Sequence, residues 1–528
     1  MAGQLQAITQ KDFSQGENLV TNPYDIGEKQ SLRAVNLILD EHGSLRTVDG
    51  TKIQTSAPAS EAGNRLLLPF SWTQVNGTIN KTVIVRSGAV SKVYNRATTP
   101  WTLVGTFTTN DLLPQTVVFT NLQIWTDGYN VPKKWDGAVF AALGGGLVGA
   151  KHLVLHQGFL WAGNTAAATT ATDGPSVLRQ SDLNSPEVWN AANVQFLAKD
   201  DGQEITGFGL FTIAETGISP TSVLIVFKRE SAFQVTGNMG TGGGLPSSNF
   251  AIQKIKSDMG CTAPRSIQFV AGFGIIRLTH RGFALYDGVD DRLISEEERP
   301  RIFGRDDISG IDLTNAQYSV ASQCQNPPIY FCLCPLSGTA LTRAFCYDLV
   351  RRAWTIVDFP FSLAWASLIT EPNTLPQILL ADATAGNVRR WFAGDSTFDA
   401  TAISWSWRTR PALLKSQLTP LYFRRMILDL LAPTGATINY NATFTNAQVQ
   451  GLSTQTFQPQ ASGGQWGLSK WGQFIWGQSG GNLIGDQPTL ELDVNATNGF
   501  LDLSGTGAVR LRGLEWHVRQ KPYRSFRT

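Results

Sequence analysis

Residues 274–288, G-I-I-R-L-T-H-R-G-F-A-L-Y-D-G, run from one apolar stretch through a turn ending at Gly282 into a second apolar stretch closed by Tyr286. Two short apolar runs joined by a glycine turn read as a β-hairpin. The same plan recurs at 82–95 (TVIVRSGAVSKVYN) and 151–164 (KHLVLHQGFLWAGN), and more loosely at 117–128, 223–237, 329–348 and 378–392. Seven hairpin centres result, near Gly88, Asn121, Gly158, Ser231, Gly282, Gly338 and Gly386, spaced from 33 residues (Gly88 to Asn121) to 73 (Gly158 to Ser231). A mean spacing of ~50 residues is the length of a four-stranded propeller blade, and the 3.6-residue period of helical repeats is missing. The expected fold is all-β: a β-propeller of about seven blades, with six to eight within range, over residues 65–410. Radial closure also explains how so many strands avoid exposed edges.

A second repeat sharpens the first. Y-N-R-A-T-T-P-W-T-L-V begins at Tyr94 and Y-D-L-V-R-R-A-W-T-I-V at Tyr347, each placing a tryptophan seven positions after the tyrosine. Tyr94, Trp101, Tyr347 and Trp354 are therefore expected as equivalent blade-core residues.

The chain ends lie outside this repeat. Residues 1–64 carry alternating Val35, Leu37 and Leu39 between glycine turns, which reads as an arm with platform strands. Residues 411–528 contain PLYFRRMILDLL, ATINYNATF, TLELDVNA and VRLRGLEWHVRQ, long strands of a separate sheet or sandwich. The two ends together are expected to build one β-rich platform. Within the second lies a Trp-Gly loop (463–481) with Trp466, Trp471 and Trp476 at five-residue intervals, a period of neither helix nor strand. These rings could contact a sugar or a neighbouring subunit, or plug their own domain.

Composition bounds the function. Of 528 residues 16 % are charged, below the roughly 25 % of an average soluble domain, and 42 % are hydrophobic, which argues for a packed chain. The net charge of +2 gives no global field for nucleic acid. Positive charge gathers only near the end, at Arg510, Arg512, Arg519, Lys521, Arg524 and Arg527, opposed by Glu515 alone. This strip is either a solvated strand face or a surface toward a channel or subunit boundary. The five cysteines lack zinc-type spacing and read as reduced packing residues. No leader-like or membrane-spanning segment is signalled, so the N-x-T sequons at Asn76, Asn80, Asn441 and Asn495 carry no weight.

Catalytic and metal signals are sparse. His152 and His156 share a strand face without a third ligand nearby, and Cys332 and Cys334 are better read as core. The acidic group Asp287, Asp290, Asp291, Glu296, Glu297 and Glu298 lacks the order of a calcium loop and reads as a solvated turn. H-E-x-x-H, G-x-S-x-G and P-loop motifs are absent. No cofactor, metal or catalytic residue is assigned, and an enzyme is not expected. The alternative is a carbohydrate-binding or glycan-cleaving propeller with carboxylates on separate blades, which needs no local motif.

The chain resembles the tail nozzle, or tail tubular, proteins of short-tailed bacteriophages, related to packaged-DNA stabilisation proteins. The likeness rests on FSQGENLVTNPYDIGEKQSLRAVNLILDEHGSLRTVDGT from Phe13, on hairpins followed by Ser-Asp-x3-Pro-x2-Trp (Ser181–Trp189) and Tyr-Asp-x5-Trp (Tyr347–Trp354), and on PLYFRRMILDL, the Trp-Gly loop and RLRGLEWHVRQKPYR at the end. It implies a structural virion protein in the tail, assembled in the host cytoplasm as a homohexameric ring below portal and adaptor. Double-stranded DNA would pass through that ring without sequence recognition, to be retained and then ejected. Arg510, Arg512, Arg519, Lys521 and Arg524 would face the channel or a subunit interface, with no membrane insertion.

Overall fold

The computed structural model describes residues 5–40, 43–108, 114–165, 173–213, 221–237, 250–305, 307–413, 419–433, 436–445, 455–457, 484–486 and 489–520. Five separate four-stranded antiparallel sheets follow one another at 65–108, 115–142, 150–196, 205–254 and 268–293. These are blades 1 to 5. Blade 6 takes Val320–Gln325, Pro328–Pro335, Leu341–Asp348 and the first part of the 17-residue strand Ala353–Ile369. The second part of that strand opens blade 7, pairing from Leu363 onward with Gln377–Asp382, which pairs with Asn387–Trp391. Pro360 stands at the changeover, where an amide donor is not required by either ladder. Each first strand touches that of the next blade, and blade 7 returns to Arg65–Thr73 of blade 1, so the ring closes.

The sequence reading meets this ring at all seven hairpin centres, one in each blade. Its uneven spacing has a simple origin. In blades 2 and 3 the conspicuous turn joins the first and second strands, whereas in the others it joins the second and third. Gln157 and Gly158 both adopt positive φ (52° and 79°), the tight turn that glycine permits.

The outermost strand of blade 7 is Thr51–Ser56, antiparallel to Asn387–Trp391 from Thr51↔Trp391 to Asn387↔Ser56. Residues 51–56, expected in the N-terminal arm, are thus part of the ring and fasten its last blade to the start of the chain. At the other boundary, Ser404–Arg408, expected within the propeller, belongs to the platform: it pairs with Asn498–Thr506 and Arg33–Val35.

The platform is a sandwich of both chain ends. In its first sheet Arg510–Gln520 lies between Leu421–Ala432 on one side and Leu5–Gln10 with Leu45–Thr47 on the other. The second runs through Arg33–Val35, Ser404–Arg408, Asn498–Thr506 and Ile438–Thr445. Alternation along each strand sends Phe423, Phe444 and Trp516 inward, where their rings meet edge to face at 5.1 to 6.3 Å. The second sheet joins the propeller through the parallel bridge Val35↔Ile356.

Candidate functional site

The strand Arg510–Gln520 is the spine of the first platform sheet. Leu511, Leu514, Trp516 and Val518 are core residues, so Arg510, Arg512, Glu515, His517 and Arg519 form its outer face. Arg510 pairs with Asp40 at 2.8 Å and Arg512 with Asp429 at 2.6 Å. His517 Nε2 lies 2.8 Å from Glu515 Oε1, and Lys11 approaches the other Glu515 oxygen at 3.9 Å. Among the described residues of the strip, Arg510 and Arg512 are therefore compensated by acids elsewhere in the chain.

Arg519 differs. It stands across from Leu5 and Tyr422, half-buried, with no ion pair and with its Nε unpartnered among the described residues. Arg425, which sequence reasoning did not single out, matches it: it lies opposite His517 with a buried, unpartnered Nε. A bulge between Phe423 and Arg425 puts Arg424 and Arg425 both outside the core. Lys521, Arg524 and Arg527, and Trp466, Trp471 and Trp476, lie outside the described residues.

The propeller axis is filled. Arg265, from the link into blade 5, donates to the Pro114 carbonyl at the entry to blade 2 at 3.3 Å and lies 5.3 Å above the Trp365 ring of blade 7. Its own carbonyl accepts from Ala321 N in blade 6. From the entry to blade 5 its side chain touches blades 2 and 7 and its backbone blade 6, so Arg265 lies across the centre of the ring. Arg65 of blade 1 covers the Tyr318 ring at 5.5 Å beside it. Burial, with Arg86 nearby, pulls the Arg265 guanidinium below the usual arginine range. The space left, about 80 Å³, borders Asp127, Lys151, His152, Glu204 and Arg265, and Lys151 pairs with Glu204 at 2.6 Å. Its size suits a few water molecules rather than a ligand, since small-molecule sites span roughly 300 to 1,000 Å³.

The two Tyr-Trp pairs occupy matching positions. Tyr94 and Tyr347 sit on the third strands of blades 1 and 6, and Trp101 and Trp354 at the starts of the fourth; all four are buried. Each indole donates to the outer part of the preceding blade: Trp101 Nε1 to Thr55 Oγ1 on the strand that closes blade 7, and Trp354 Nε1 to the Ile294 carbonyl just past blade 5. The registers differ, Tyr347 facing Trp354 directly while a bulge at Val93/Tyr94 brings Leu103 opposite Tyr94. Burial and the adjoining Glu61 carboxylate raise the Tyr94 hydroxyl to about 12.

Other titratable groups serve packing. Burial, with Arg265 and Lys151 nearby, pulls His152 down to about 3, and burial alone pulls His156 down to about 4. Cys332 and Cys334 are buried thiols with sulfurs 3.7 Å apart. The acidic group is only partly the solvated turn its composition suggests: Asp287, Asp290 and Glu296 are exposed. Asp291 is buried against Arg277, and Glu298 is fully buried beside Glu17 and Arg301. Asp291 is held locally by Arg277 and Ser257, whereas Glu298 meets Glu17 of the arm, 281 residues away in sequence.

No family model matches the chain, and no curated protein does. Among solved structures it is similar to BBS1N in complex with ARL6DN (8 % identity, TM-score 0.39, covering 66 % of this chain and 99 % of that one). It is also similar to BamB from Moraxella catarrhalis (9 %, TM-score 0.37, 66 % and 99 %) and to the Dos1 propeller (10 %, TM-score 0.37, 70 % and 94 %). Likenesses at this level carry no argument about function.

Proposed function

We propose that this chain is a structural subunit of the tail nozzle of a short-tailed bacteriophage, several copies of which, six by the sequence likeness, form a ring below portal and adaptor. The ring continues the DNA channel, holds packaged DNA and then lets it leave; the chain itself catalyses nothing. One observation carries the reading: the propeller is closed on its own axis by Arg265, Trp365, Arg65 and Tyr318, so a conduit has to run between copies rather than through a propeller. The platform, built from both chain ends, is the natural body to line it, with the propellers outside. Its outer face suits that task, because each phosphate neutralised by a free lysine or arginine adds salt-dependent grip. Arg510 and Arg512 are already engaged, which leaves Arg424, Arg425 and Arg519 for contact with a neighbouring copy.

Native mass measurement tests the assembly. A ring, weakened when Arg425 and Arg519 are both replaced by glutamine, is expected. A chain that stays monomeric at all concentrations and is missing from particles would contradict the proposal.

A further inference from the structure

A cleft of about 540 Å³ opens where the N-terminal arm, the link between blades 5 and 6, and the second platform sheet meet. Five arginines line it: Arg33, Arg301, Arg305, Arg343 and Arg408. Four are clamped by a carboxylate. Glu17 takes Arg301 (2.6 and 2.9 Å), Asp307 takes Arg305 (2.7 and 3.1 Å), Asp358 takes Arg343 (2.7 and 3.0 Å) and Asp502 takes Arg408 (2.8 Å twice). Arg33 is exposed and forms no ion pair among the described residues, its charge reaching only as far as Asp307 through space. It lies directly opposite Arg408 across adjacent strands, where Asp502 offsets the Arg408 charge.

Five arginines meet four carboxylates at the cleft, so one positive charge, that of Arg33, is left over and has capacity for an acceptor. A guanidinium fork matches a phosphate bidentately. The volume falls within the range of small-ligand sites. A single carboxylate would satisfy Arg33 and leave most of the recess empty, whereas a chain of phosphate groups fills it. We propose that this cleft binds a small phosphate-bearing polyanion, anchored by Arg33 at the junction of arm, propeller and platform. The site would lock three parts of the chain together when filled. It is independent of any ring.

Titration calorimetry of the full-length protein with sodium tripolyphosphate, in about 150 mM salt so that loose surface attraction is screened, tests this. Saturable binding is expected, with a rise in the melting temperature, because a ligand that binds only the folded state stabilises it. Arg33→Gln should weaken binding at least tenfold without moving the melting temperature of the ligand-free protein, as Arg33 is exposed. Arg33→Lys should retain an intermediate affinity. Absence of saturable binding, or equal affinity in Arg33→Gln, would overturn the proposal. A short DNA duplex that bound in an Arg33-dependent way while tripolyphosphate did not would overturn it equally.

Discussion

Trp354 is 1 % exposed and Trp101 6 %, and each spends its indole N–H on the neighbouring blade, so both act as keys between blades rather than as filling within one. Truncating either to alanine removes a large buried ring and leaves a cavity at a blade boundary. A loss of about 3 to 5 kcal/mol in urea unfolding is expected for each. Glu298 makes the opposite prediction. Both its carboxylate oxygens lack hydrogen bonds, and Arg301, 3.6 Å away, is already held by Glu17. Burial, then the Glu17 charge, pushes Glu298 well above the ordinary value of 4.5, against the pull of Arg301 and Arg343 and with a further push from Glu297. A carboxyl raised on folding stabilises the protein below its unfolded value and loses that contribution as pH rises through the folded one. Glu298→Gln should therefore be more stable than the native chain at pH 8 and gain nothing at pH 4. Thermal melts across that range read it directly. The histidines act on the other side. His152 and His156 are depressed from 6.5 to about 3 and about 4, so the stability tied to their neutral forms is complete above pH 6.5 and falls away as pH drops toward those values. His156→Gln should flatten that acid limb.

Elements show most clearly what one dimension can carry. The hairpin 274–288 is legible because its two strands are adjacent, apolar and joined by a turn. The third and fourth strands of blade 2, Lys133–Trp135 and Phe140–Ala142, are three residues each and carry no pattern of their own. Thr51–Ser56 is nearly all polar and finds its partner more than 300 residues later, so nothing local announces that it closes the ring. The same distance hides the pairing of Arg510 with Asp40: the charge of the strip is visible, its compensation is not. The closing strand can be tested at its entry. Gly50 donates to the Asp395 carbonyl, and a Cβ there would stand 1.9 Å from the Thr397 carbonyl oxygen, against backbone that no side-chain rotation can move. Gly50→Ala should cost roughly 1 to 3 kcal/mol through forced backbone shifts and expose Asn387–Trp391 as a free edge. Limited proteolysis cutting earlier within 377–391 would report it; an unchanged pattern and midpoint would show that the strand is not the fastener.

At the scale of the molecule, a propeller and a sandwich share one chain because the ends that build the sandwich also seal the ring. Arm residues hold the propeller at Glu17 and Trp354, Thr51–Ser56 completes blade 7, and Val35 joins the platform to Ile356. Loading on the platform would then be transmitted to blades 5, 6 and 7 before the others. On the proposed reading, sealing at Arg265 makes the propeller a wall and not a pipe, and Arg265→Ala should enlarge the axial space and lower stability without opening a route for DNA. Electron microscopy of the assembled oligomer, viewed along its symmetry axis, tests this most directly. A single central opening, bordered by platform sandwiches from several copies with solid propellers outside it, is the predicted image. Openings through the individual propellers, or propellers rather than platforms around the centre, would contradict it.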